Sequence, residues 1–383
     1  MNRPGTEFNL AALMLRRAAL SPERRALIFE DLETTYSEFA DRVRRQASLF
    51  RESGVCVGDR VGFLGVNHPA LLETMFAAQA LGAIFVPLNF RLTAEELIFI
   101  INDAGVHSLV VDEGLRPVIE PARERLCTRN YFASDDAAEG WRDLQSEFVS
   151  QEPLPEAVSM DQHDVAIIMY TSGTTGLPKG AMLTHGNIVW NNINAVMAFG
   201  GSRDDVILTA APLFHIGGLN VMTISSFHIG STVLLVKAFD PGLVLKNIET
   251  YRVTHMFGAP AMFLFMSQQP QFAETDLSSI KIIICGAAPV PESLIELYGE
   301  RDVPFCQGYG LTETAPFSAF LTPEFGISKL GSAGQAPVYS DTRIVDNDNR
   351  ELPAGERGEI CLRGPNIMKG YWNRPDATAK AID

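Results

Sequence analysis

The chain has 383 residues, 46% apolar and 20% charged, a balance typical of folded globular proteins that excludes a fibrous or disordered class. This length exceeds the size at which one hydrophobic core keeps growing, so at least two packed units are expected. A net charge of −15 without a cluster of Lys and Arg excludes a general nucleic-acid binder, so an anionic ligand must be met by local donors.

The first patterned segment, residues 10–15, is apolar and is followed by Arg16 and Arg17. It is short and lacks a basic leader or a small-residue cleavage site, so it reads as an amphipathic surface helix. From Gly58 the pattern is strand, then a helix opened by Pro69 and running to Leu81, then a strand over 84–87. Thr93 with Glu96 forms a capping box before another helix, and 109–111 is a third short strand. Alternating β and α units of this kind predict a largely parallel sheet covered by helices. No internal repeat is present.

Residues 134–155 are acidic, polar and Pro-bearing, the composition of a surface connection, so a boundary is expected there. Buried strands are then predicted at 165–169, 206–210, 232–236, 255–257 and 280–284, separated by helical patterns. After Gly331 short strands at 342–345 and 359–363 flank an Asp346, Asn347, Asp348, Asn349 turn, which predicts a smaller β-rich lobe. The expected division is therefore 1–155 α/β, 156–330 α/β, and 331–383 β-rich. The chain stops just after a helix-like start at 375–378, and is expected to be incomplete.

No segment approaches the roughly 20 apolar residues needed to span a bilayer, so the chain is expected to be soluble or at most in peripheral contact with a membrane. Five cysteines, an odd number without metal-ligand spacing, predict reduced thiols in a cytoplasmic protein and carry no chemistry.

Chemistry concentrates in 170–180. There Thr171, Ser172, Thr174 and Thr175 supply hydroxyls, Gly173, Gly176 and Gly180 free the backbone, and Lys179 adds a mobile positive charge. Backbone N–H groups turned toward an anion, with these donors, suit a polyphosphate. This is not a Walker loop, because Lys179 lies between Pro178 and Gly180 and no Ser or Thr follows it. A flexible Gly/Thr turn is the commoner origin of a glycine-rich loop, but it leaves the density of donors unexplained.

The string resembles the signature loop of the adenylate-forming superfamily, which includes acyl-CoA synthetases, luciferases and the adenylation domains of peptide synthetases. Further stretches agree with that family in order, from near Thr35 to the end. Residues 211–218 resemble its substrate-side segment, with His215 between acyl group and phosphate. Gly286, Ala287, Ala288 and Pro289, directly after a strand, resemble the turn against which the family packs adenine. Gln307, Gly308, Tyr309, Gly310, Leu311, Thr312 and Glu313 are a second specific match. By resemblance Tyr309 lies against the adenine, Thr312 bonds the α-phosphate and Glu313 binds Mg²⁺. A hard carboxylate oxygen suits that ion. The segments 358–364 and 370–375 resemble the family's β-rich region and are read as architectural.

The resemblance implies two doubly wound sheets with flanking helices and a small β-rich barrel lobe, the large N-terminal domain of the family. It implies ATP, Mg²⁺ and coenzyme A as reactants, and Lys179, His215, Thr312 and Glu313 as the catalytic set. The carboxylate of the acid would attack the α-phosphorus of ATP, releasing pyrophosphate, and a thiol would then displace AMP. Family members continue into a Thr-Gly-Asp segment and a small C-terminal domain bearing a catalytic lysine. Without them the chain is expected to keep its pockets and to be a weak catalyst.

Phe214 is followed by His215 where amino-acid-activating members place an aspartate, and an uncompensated ammonium would be costly, so amino acids are disfavoured. Met256, Phe257, Met262, Phe263, Phe265 and Met266 are apolar enough to line an acyl tunnel, but their spacing is equally that of a buried core helix, the reading preferred for most of them. Fatty acids are the first expectation and aryl acids of benzoate or cinnamate type the second. A non-catalytic acyl or nucleotide binding module is the reading from a different class.

Overall fold

Short runs that are apolar on both faces can only be satisfied inside a sheet covered on both sides. Strands Val206–Thr209, Thr232–Leu235 and Ile282–Cys285 are buried along their whole length. A computed structural model, which describes residues 8–135, 139–171, 176–326 and 328–382, places them in the first of two eight-stranded sheets. From edge to edge that sheet runs Phe317–Leu321, Phe305–Gly310, Ile282–Cys285, His255–Gly258, Val206–Thr209, Thr232–Leu235, Arg25–Phe29 and Leu32–Thr35. Its interior pairs are parallel, and both edge strands are antiparallel to their neighbours.

The second sheet runs Gly370–Tyr371, Lys179–Thr184, Val165–Thr171, Ile84–Leu88, Arg60–Leu64, Val106–Val111, Asn130–Ala133 and Arg142–Asp143. The strands do not sort at residue 155. Arg25–Phe29 and Leu32–Thr35 belong to the first sheet, while Val165–Thr171 and Lys179–Thr184 belong to the second. The segment expected to be a plain connection also holds the helix Leu144–Val149, anchored by buried Leu144 and Phe148. The β-rich region after Gly331 is the two-stranded sheet Asp341–Val345 with Glu359–Arg363, from which the chain returns to the second sheet as Gly370–Tyr371.

Between the sheets lie the helices Leu10–Leu20, Tyr36–Glu52, Pro69–Ala80 and Thr223–Ile229, in one core shared with Phe29 and Leu235 of the first sheet and Phe63 and Ile167 of the second. Phe227 stacks on Phe39 at 4.9 Å and meets the edge of Phe76 at 5.3 Å. The first helix is not laid on the surface: Leu10, Ala11 and Met14 are wholly buried, and the side chain of Asn9 caps its first turn. Local rules held where they were strongest. Thr93 and Glu96 form the predicted capping box, and Pro69 stands in the first turn of its helix, where no intrahelical N–H is lost.

Candidate functional site

Six strands of the first sheet run parallel, and the loops beyond the carboxyl ends of five of them help to enclose a cavity of about 810 Å³. A crevice outside the carboxyl ends of parallel strands is where ligands bind in open α/β sheets. Of the residues predicted from sequence, His215, Gly286, Ala287, Gly308, Tyr309, Gly310 and Thr312 line this cavity. Motifs far apart in the chain are thus brought to one wall.

The backbone there is packed too closely for side chains. A Cβ on Gly286 would lie 2.7 Å from the carbonyl of Gly308, and one on Gly310 would run into the carbonyl of Pro316. Ala287 takes φ of 67°, the left-handed region that non-glycine residues seldom occupy, and so turns the chain sharply after Ile282–Cys285. Ala288 and Pro289 are exposed and do not line the cavity. Gln307 is turned away, donating its amide to the Ser332 carbonyl at 3.0 Å.

Lys179 and Glu313 are not on the cavity wall but meet each other's neighbourhood through Tyr371. The Tyr371 hydroxyl donates to Glu313 Oε1 at 2.7 Å, and the Lys179 ammonium sits 4.5 Å from the centre of the Tyr371 ring. Burial, then the Glu313 carboxylate, push the Tyr371 phenol up, so it stays protonated and able to donate. Glu313 follows directly on the cavity residue Thr312 in a single 3₁₀ turn.

Lys179 opens a strand and is not part of the loop. It pairs with Thr171 across an antiparallel hairpin, with Gly176 exposed at φ 153° near its tip. The predicted donors Ser172, Gly173, Thr174 and Thr175 lie outside the described residues. Tyr170 faces away, donating to Asp103 at 2.5 Å, and is a buttress of the hairpin.

His215 caps the short helix Ile216–Asn220 and opens onto the cavity, its ring against Phe214 at 4.3 Å. Removal from bulk water, then the Arg91 guanidinium, hold its pKa below the ordinary histidine range, so the ring is neutral at neutral pH. Three polar cavity residues were not singled out from the sequence. Buried Asn67 accepts from the Leu213 N–H at 2.8 Å and donates to the carbonyls of Ala211 and Val236, which pins the His215 segment. Arg91 and Lys237 bring positive charge to the same cavity, the Arg91 guanidinium lying 5.4 Å from the Phe90 ring and 5.8 Å from that of Phe214. Each follows directly on a strand and a short turn, a position that could have singled them out.

Among the described residues no cluster of three or more His, Cys, Asp or Glu could hold a metal ion. Glu313 is a single carboxylate, which fits an ion that brings water and phosphate oxygens as its other ligands.

The profile of the AMP-binding enzyme family matches residues 14–372. A feruloyl-CoA synthase from Amycolatopsis sp is 43% identical over 374 residues, covering 97% of this chain and 73% of that protein. An indoleacetate–CoA ligase from Aromatoleum aromaticum is 38% identical over 368 residues, covering 96% of this chain and 72% of the other. The solved structure of a Mycobacterium tuberculosis fatty acyl CoA synthetase superposes with a TM-score of 0.91 at 31% identity, over 98% of this chain and 74% of that one.

Proposed function

The chain belongs to the AMP-binding enzyme family, as an acid–CoA ligase of the AMP-forming type, and from that premise we propose that its acid is aromatic. The observation that carries the placement of acid and nucleotide is the convergence of His215, Thr312 and the tightly packed Gly286 and Gly308 backbone on one cavity of about 810 Å³. The acid lies toward His215 and the nucleotide toward Tyr309 and Thr312. Thr312 donates to the α-phosphate, and Lys179 balances the charge of the departing pyrophosphate. The neutral His215 ring separates two anions without pairing irreversibly with either. The substrate carboxylate attacks the α-phosphorus, pyrophosphate leaves, and the acyl group then passes to the thiol of coenzyme A as AMP departs. What these residues supply is position and charge stabilisation. Mg²⁺ held by Glu313 and the phosphates would neutralise the charge that otherwise repels the attacking carboxylate.

Aryl acids replace fatty acids as the first choice on two grounds. The relatives at 43% and 38% identity are named for ferulate and indoleacetate, both aromatic. The apolar stretch that could have lined an acyl tunnel is largely core, the reading preferred for most of its residues, since Met256, Phe263 and Met266 are wholly buried and Phe265 faces outward. From that stretch Phe257 and Met262 line the cavity, where Phe90, Phe239 and Phe317 add aromatic surface suited to a ring. The fatty-acid reading is supported by the likeness to the fatty acyl CoA synthetase.

Pyrophosphate release with ferulate, indoleacetate, benzoate and medium- and long-chain fatty acids separates these readings. An aryl acid should exceed every fatty acid in kcat/KM by ~10-fold or more, the scale a shaped apolar pocket provides. A fatty acid at the top would return the assignment to that class. Release with no acid would support a non-catalytic binding module.

A further inference from the structure

The segment 364–372 acts as a strap across the site. The buried Asn366 amide donates to the carbonyls of Thr314 and Phe317 at 2.7 and 2.8 Å, and the Met368 N–H donates to the carbonyl of Glu313 at 2.8 Å. On its other side Asn187 donates to the carbonyls of Pro365 and Ile367, the Lys369 N–H bonds Met182, and the Trp372 N–H bonds the Gly180 carbonyl at 2.7 Å. The strap therefore ties the turn carrying Glu313 to the strand carrying Lys179. At its centre is Tyr371, whose hydroxyl holds the carboxylate while its ring face receives the ammonium.

We infer that Tyr371 is a positioning residue that stands between Glu313 and Lys179, keeping the two opposite charges apart and turned toward a polyphosphate. This rests on the reading of the cavity as an ATP site. Among the described residues no ion pair joins Lys179 to Glu313 or to any other carboxylate. A direct pair would cancel both charges before the ligand arrived. A phenol whose O–H is given to a carboxylate has an electron-richer ring, so its hold on Glu313 strengthens its hold on Lys179. One side chain thus sets the direction of both groups. Two variants divide these tasks: Tyr371→Phe keeps the spacer and ring but frees the carboxylate, and Tyr371→Ala lets the two charges meet.

Calorimetric titration with MgATP, and with ATP in EDTA, tests this on the wild-type chain, both Tyr371 variants and Glu313→Gln, with melting curves to verify folding. Tyr371→Phe should weaken MgATP binding about 5- to 10-fold, the scale of one net hydrogen bond, while changing metal-free ATP binding less than about 2-fold. Tyr371→Ala should weaken both about 10-fold, and added salt, by screening the new pair, should narrow its deficit. If Glu313→Gln loses MgATP affinity while both Tyr371 variants bind as wild type, the positioning role is overturned and the site reading stands. Equal losses in the two Tyr371 variants under both conditions also overturn it. If the wild-type chain binds ATP in neither condition, the ATP site itself falls, and this role with it.

Discussion

Glycine at 310 is required by position. The strand Phe305–Gly310 ends against Phe317 with an irregular register, and Gly310 lies so near the Pro316 carbonyl that no Cβ fits. Gly310→Ala should therefore cost about 1–3 kcal/mol in denaturant unfolding, the range for forced overpacking. It should also weaken nucleotide binding, since the displaced backbone is cavity wall. An unchanged unfolding midpoint would mean that Pro316 yields without strain. At His215 the relevant property is charge state. A ring held neutral by its apolar surroundings and by Arg91 can share a cavity with a carboxylate and a phosphate without locking onto either.

At the scale of elements, the hairpin Val165–Thr171 with Lys179–Thr184 and the strap that covers it place the charges. Asn366 is the strap's strongest tie, wholly buried, donating twice to backbone and accepting from the Ser340 hydroxyl at 2.8 Å. Asn366→Ala leaves two buried carbonyls without these donors and should cost about 1–3 kcal/mol. Asn366→Asp is nearly isosteric but replaces the donor by an oxygen facing two carbonyls, so it should be at least as damaging. Full stability in the Asp variant would show that the contact is mere packing. The strap was legible only as framework, because residues 364–372 carry no local cluster of donors or charges. The hairpin was half legible: its first strand is an apolar run, whereas its second begins inside the Gly- and Thr-rich string, whose composition signals a loop.

At the scale of the whole molecule, helix Leu10–Leu20 is tied to a residue far along the chain by the Leu10 N–H, which donates to His185 Nδ1 at 3.2 Å inside the central core. That bond requires a neutral ring, and burial lowers the His185 pKa from 6.5 to about 4. With the folded-state value depressed, its contribution is fully present above pH 6.5 and is lost as pH falls toward 4, because the unfolded chain binds the proton first. Urea unfolding at pH 5 should show about 2 kcal/mol less stability than at pH 7 from this residue. His185→Asn, which keeps an acceptor without titrating, should lose less over the same interval. A parallel loss in the variant would assign the pH dependence to other groups.

The central strands, the capped helices and the two donor-rich motifs were legible in the sequence itself, because hydrophobic period, cap chemistry and donor-rich strings are local properties. So was the reaction class, through the resemblance those strings carry. Which strands share a sheet was not, since Arg25–Phe29 pairs with Thr232–Leu235 across two hundred residues that pattern alone does not connect. Nor were Asn67, Arg91, Lys237 and Tyr371 as parts of the site. Asn67 and Tyr371 act through partners that only folding brings near, and Arg91 and Lys237 become site residues only when folding brings their loops to the same cavity.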